Sequence, residues 1–158
     1  MKNIFNKVRG AYNHWYVHIA HLVLAMQTSR QFTQPYFGNP VYHFSGFLAG
    51  ATGRVLDELS SVKCCKVINT KEFGKYNLKE VYPGELNPLI RKYPTTKQYL
   101  KKAIPIDILA TIISSIDPNF GYALLSRDII SYFNNTMTAN EMKEEVKKRN
   151  LEEIASKK

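Results

Sequence analysis

The chain has 158 residues, 44% of them hydrophobic and 22% charged, with a formal net charge of +9 at pH 7. This is the make-up of one folded domain with a core of its own, and it excludes a disordered chain. The two cysteines, Cys64 and Cys65, are sequence neighbours, which suits neither a tetrahedral metal site nor a disulfide framework.

In chain order, the pattern predicts a first helix over residues 3–30. At roughly 100° per residue, Ile4, Val8, Trp15, Ile19, Leu22 and Met26 share one face. Lys7, Ala11, His14, His18, His21 and Ala25 form the neighbouring stripe. Gln34-Pro35 and Gly38-Asn39-Pro40 interrupt the chain, and a second helix is expected from about Val41 to Ser60. That helix is rich in glycine and alanine. Each interior glycine costs roughly 1 kcal/mol against alanine, so the cluster implies a backbone packed closely against something, most often a partner helix. Residues 62–84 read as a short hairpin or an irregular loop.

A further helix is expected over 88–102, interrupted at Pro94 and capped by Thr95 or Thr96. Pro105 should start a strongly apolar helix ending at Asp117-Pro118, and Tyr122 to Phe133 should form another. Thr138-Ala139-Asn140-Glu141 reads as a capping box that opens a charged final helix. The expected fold is all-α, a single helical domain over 1–158. It consists of a basic N-terminal helix or arm (1–34), a helical core (41–133) and a charged C-terminal helix (138–156).

No run of about 18 apolar residues appears, and the first apolar run lacks a signal-peptide cleavage pattern. The stretch Ile104 to Ile116 contains Pro105 and Asp107, so it is expected to be a buried core helix of a soluble chain. Asp107, Asp117 and Asp128 read as caps and turns.

No acidic residue precedes Asp57, whereas Lys2, Lys7, Arg9, Arg30 and Arg54 do, and residues 57–102 add a second basic excess. An acid-free basic half is the footprint of a polyanion partner. Three chemistries compete for the histidines. His14 and His18, one helical turn apart, have metal-ligand spacing but no carboxylate beside them to support an imidazole ligand. Arg9 and His14 match the Arg-x4-His spacing of the HEPN ribonucleases, although Gly10 follows the arginine where that family commonly has a polar residue. The third reading sets His14, His18 and His21 along a phosphate backbone, with Lys7, Arg9 and Arg30 beside them. No catalytic constellation, metal site or cofactor motif is expected.

Read together, the Gly-rich GFLAGATGRVLDELSS from Gly46, the lysine- and tyrosine-bearing YPTTKQYLKK, then Pro105 and ILATIISSI resemble the layout of one viral family. It is the major capsid proteins of rod-shaped and filamentous archaeal viruses, the rudiviruses and lipothrixviruses. The resemblance covers about residues 42–116, and the insertion around residues 64–84 and the charged tail depart from the compact rudivirus form. It implies a virion coat protein, present in the host cytoplasm before assembly, that pairs with itself or a paralogue. Such proteins polymerise helically around double-stranded DNA, without sequence specificity, and in enveloped members approach the membrane. The expected DNA contacts are Lys2, Lys7, Arg9, His14, His18, His21, Arg30 and Arg54. The alternative is a small helical phage or viral accessory protein that binds another protein.

Overall fold

The computed structural model describes Gly10, Tyr12, residues 14–77, Val81 and residues 86–156. Among them are five α-helices and no strand: α1 (Trp15–Thr33), α2 (Pro40–Ile68), α3 (Pro88–Lys92), α4 (Thr96–Ile116) and α5 (Pro118–Ser156). Short 3-10 turns lie at Gln34–Tyr36 and Phe73–Lys75. The all-α expectation therefore holds for the described residues. Where 62–84 was expected to leave helix, α2 continues to Ile68, carrying Cys64 and Cys65 inside it; residues 78–80 and 82–85 lie outside the described set.

Local signals account for most helix starts. The Asn39 side chain accepts from the Val41 N–H at 2.9 Å ahead of Pro40, and Asn87 does the same for Leu89 ahead of Pro88. Thr95 caps α4 by accepting from the Gln98 N–H. Two expected boundaries are absent. Pro105 lies inside α4, and the helices expected at Tyr122–Phe133 and after Thr138 form one continuous α5. Thr138, which reads as the start of a capping box, and Asn135 before it are buried mid-helix, and the Asn135 amide donates to Ser60 and Ser61 on α2 at 3.2 Å. The first helix also differs. His14 is extended (φ −78°, ψ 133°) and starts α1, Gly10 and Tyr12 are helical before it, and residues 3–9 lie outside the described residues.

α2 is the central element. It packs along α5 on one side and α4 on another, while α1 lies against α5. The glycines make the α2–α5 approach close. A Cβ on Gly121 would lie 2.0 Å from the Gly46 carbonyl oxygen, and one on Gly46 would lie 2.3 Å from Pro118 Cα. The close partner implied by the glycine cluster is thus a helix of the same chain.

The molecule has two zones of opposite character. At the end where α2 finishes and α4 begins, Cys64, Cys65, Phe73, Ile90, Tyr99 and Met142 are among the side chains of an ordinary apolar core. Lysines cover that end: Lys66, Lys97, Lys101 and Lys102 are exposed. In the remaining length of the bundle the arrangement is inverted. Its interior holds glycine, alanine, Ser114, Asn119, Arg54, Asp57 and Asp128, while large apolar side chains point outward from α1, α2, α4 and α5.

Candidate functional site

Arg54 and Arg127 organise the inverted zone. Arg54 arises mid-way along α2 and its guanidinium meets Asp57 one turn on. Its Nε lies 3.1 Å from Asp107 of α4 and 3.4 Å from Asp128 of α5, and Glu58 is 4.0 Å from Nη2. Arg127 pairs with the neighbouring Asp128 and reaches Asp57 at 3.1 Å. Two guanidiniums thus hold four carboxylates from three helices, and Arg54 is only 7% exposed. Charges this far from water persist only when paired. The cluster is a cross-brace that ties α2, α4 and α5 together at one level. Asp57 Oδ1, Glu58 Oε2 and both Asp128 oxygens, with the Nε atoms of Arg54 and Arg127, are buried without a hydrogen-bond partner, so the cluster is held by charge and neither side is fully hydrogen-bonded.

A cleft of about 430 Å³ opens onto this cluster, with Trp15 and His18 of α1, Tyr99 and Asp107 of α4, and Ser131 of α5 in its wall. The Tyr99 hydroxyl donates to Glu58 at 3.1 Å. Burial, and next the charge of Glu58, push the Tyr99 phenol well above its ordinary value. A second groove of about 530 Å³ runs between α2 and α4. Val55, Leu59, Ile108 and Ile112 line it, with Arg54 and Asp107 beneath. Among the described residues no group of three or more His, Cys, Asp or Glu is arranged to hold a metal ion.

The residues expected to meet DNA are dispersed. Lys2, Lys7 and Arg9 lie outside the described residues. Arg54 requires correction: its guanidinium is consumed by internal carboxylates and is not presented to an external phosphate. The histidine stripe divides. His14 stacks on Tyr16 at 5.1 Å. His18 lies edge-on to Tyr12 at 4.8 Å and faces the cleft. His21 is hydrogen-bonded through Nδ1 to the Tyr12 hydroxyl and through Nε2 to Ser126 of α5, both at 2.9 Å. His18 and His21 thus face the bundle, and their apolar neighbours Trp15, Ile19, Val23 and Leu24 face outward.

Arg30 remains near the surface, 2.9 Å from Asp117 at the far end of the bundle. Burial alone would raise the Asp117 carboxyl, but the Arg30 guanidinium and the Asn119 N–H hold it below its ordinary value. Beside it, the hydroxyls of Ser29, Thr33 and Tyr42 all donate to Asn119 Oδ1 at 2.8 Å, knitting α1, α2 and α5 together.

Sequence reasoning missed the carboxylate half of the cluster. Asp107 and Asp128 read as caps or turns, yet both lie inside helices; of the three aspartates so read, Asp117 alone sits at a helix junction. The available signal was the placement of Asp107 among isoleucines and of Arg127-Asp128 between Leu125 and Ile129. A charge inside an apolar run needs a partner at the same height on another helix. Comparison with protein-family models, curated proteins and solved structures finds no match to this chain.

Proposed function

We propose that this chain is a structural subunit and not a catalyst, built to work inside a larger assembly and attached to a polyanion through its basic residues. One observation carries the reading. Outer faces of all four long helices bear large apolar side chains, among them Ile19, Leu48, Ile108, Ile112 and Phe133. Over the same length, Arg54, Arg127 and four carboxylates are turned inward. A protein working alone in water spreads charge over its surface and rarely exposes an apolar patch beyond a few hundred Å². The coat-protein expectation is the narrower form of this proposal. It retains Lys2, Lys7, Arg9 and Arg30 as candidate phosphate contacts and drops Arg54.

The test is the assembly state of the purified full chain, with and without double-stranded DNA, by light scattering and electron microscopy. A chain that occurs only in assemblies or with its apolar faces otherwise covered is expected. A monodisperse, folded, water-soluble monomer at high concentration would overturn the proposal. In the coat-protein form, DNA binding would be blind to sequence. Replacing Lys7 and Arg9 by alanine would then flatten the log K against log salt slope by roughly two.

A further inference from the structure

We infer that the covering of the apolar belt is the hydrocarbon of a lipid bilayer, which the bundle crosses with its lysine-rich end at the anionic headgroups. The inference rests on the reading of an embedded subunit and names what embeds it.

Distribution carries the case. A dimer contact needs one apolar face, whereas here all four long helices expose large apolar side chains, although on α1 exposed Gln27, Thr28, Arg30 and Gln31 follow Leu24. Trp15, Ile19, Val23 and Leu24 lie outward on α1, with Phe44, Leu48, Val55 and Leu59 on α2. On α4 they are Ile104, Ile108, Leu109, Ile112 and Ile116, and on α5 Ile129, Ile130 and Phe133. The belt ends where charge resumes. Beyond Leu59 on α2 come Lys63 and Lys66, before Ile104 on α4 come Lys101 and Lys102, and beyond Met137 on α5 come Glu141 and Lys143.

The belt portion of α2, from Val41 to Leu59, has about the 20 residues that a hydrocarbon core of roughly 30 Å requires. On α1 the exposed apolar run is Trp15 to Leu24, with Phe32 beyond it, and on α5 it is Ile129 to Met137. The apolar part of α4 is shorter than that of α2, and the long stems of Lys101 and Lys102 can reach the interface from it.

The lysine-covered end of the same molecule supplies an internal comparison. There the core is apolar and the surface charged, as water demands, so the inversion is confined to the belt. Charge is also asymmetric between the two ends. The turns at residues 34–39 and at Asp117 contain no lysine or arginine, and Arg30 near them is paired with Asp117. The opposite end carries the connection from α2 to α4 with its lysines. That is the bias of a membrane protein whose basic side stays where it was made.

Among the described residues no helix is long and apolar enough to cross a membrane. Hydropathy taken one helix at a time averages both faces, and here each inward face carries histidine, arginine, carboxylate or asparagine. Ionisable groups within a membrane face the bundle interior and pair with opposite charges, as Arg54 and Arg127 do with Asp57, Asp107 and Asp128. The helices would therefore enter lipid as a bundle whose polar faces cover each other.

The test is cell-free synthesis of the full chain with vesicles of phosphatidylcholine and phosphatidylglycerol, followed by flotation and washing in 1 M salt and then in alkaline carbonate. The protein is expected to float and to survive both washes. Trypsin added outside should trim the lysine-rich end and leave residues 103–143 uncut at Arg127. Ile108→Lys with Ile112→Lys should abolish wash-resistant flotation, whereas Leu151→Lys, on the charged tail, should not. Flotation lost to salt or carbonate would mean attachment by charge alone and would overturn the inference. Lipid-independent filaments, formed by the chain alone or on DNA, would overturn it while leaving the embedded-subunit reading standing. A soluble folded monomer that ignores vesicles would overturn both.

Discussion

Replacing Arg54 by leucine distinguishes an internal brace from a phosphate contact. Leucine fills part of the space but leaves Asp57, Glu58, Asp107 and Asp128 facing one guanidinium, that of Arg127, in a region where Asp128 is fully buried and Glu58, the most open of them, is 17% exposed. Removing one partner of a buried ion pair typically costs about 3–5 kcal/mol, because the remaining charge is left without compensation. Arg30→Leu breaks a pair whose arginine side chain is 58% exposed, a class worth about 0–1 kcal/mol. The expected order of loss is therefore Arg54→Leu far above Arg30→Leu. Arg54→Lys should fall between wild type and Arg54→Leu, since an ammonium keeps the charge but not the fork that spans Asp107 and Asp57. Adding Asp107→Leu to Arg54→Leu should recover part of the loss by removing one unpaired carboxylate. The assay is denaturant unfolding followed by circular dichroism, in lipid or detergent where the protein needs it. An Arg54→Leu protein as stable as Arg30→Leu, but weakened in binding duplex DNA, would refute the reasoning and return Arg54 to the surface.

Gly121→Ala should destabilise despite a helix-propensity gain of about 1 kcal/mol, because its Cβ would lie 2.0 Å from the Gly46 carbonyl oxygen and overpacking costs about 1–3 kcal/mol. Gly74→Ala, with nothing within 4 Å, is the control in the same melting experiment, and equal melting of the two variants would contradict the close approach. Burial raises the Cys64 thiol to about 12 and, with the charge of Glu58 second, the Cys65 thiol to about 11. Because the thiolate is the nucleophile, iodoacetamide at pH 8 should leave both unmodified until the protein unfolds, as read by mass spectrometry. The Asp117 carboxyl lies below its ordinary value when folded, so its stabilising effect is present at neutral pH and is lost as pH falls below about 4. Asp117→Asn should therefore flatten the acid limb of a stability–pH curve; an unchanged limb would show that the Arg30 contact contributes nothing.

Much of the fold is legible from local chemistry. Asn39-Pro40, Asn87-Pro88 and Thr95 mark helix starts by the hydrogen bonds their side chains can make, and the glycines of α2 announce a close backbone. Helix ends are less legible when polar residues have an interior partner. Thr138, with Asn135 before it, looks like a helix start because short polar side chains compete with the backbone in water. Here α2 lies beside them and Ser60 and Ser61 accept the Asn135 amide. The site was hidden for a related reason. Periodicity finds two faces on α1, one with Trp15 and Ile19 and one with His18 and His21, but it does not say which faces inward. Assigning the apolar face to the core assumes water outside. The structure turns His21 to Ser126 and Ile19 outward, and it ion-pairs Asp107 and Asp128, which read as caps and turns, inside their helices.

The most direct measurement places nitroxide labels on single cysteines introduced at Val55, Ile112 and Ile130, with Lys97 and Leu151 as reference sites, in protein reconstituted into vesicles. Native Cys64 and Cys65 are buried and should stay unlabelled. Power saturation compares collisions with oxygen, which concentrates among acyl chains, against those with a water-soluble nickel chelate. Oxygen should dominate at Val55, Ile112 and Ile130, and the chelate at Lys97 and Leu151. Chelate accessibility at Ile112 and Ile130 equal to that at Leu151 would contradict a lipid-covered belt.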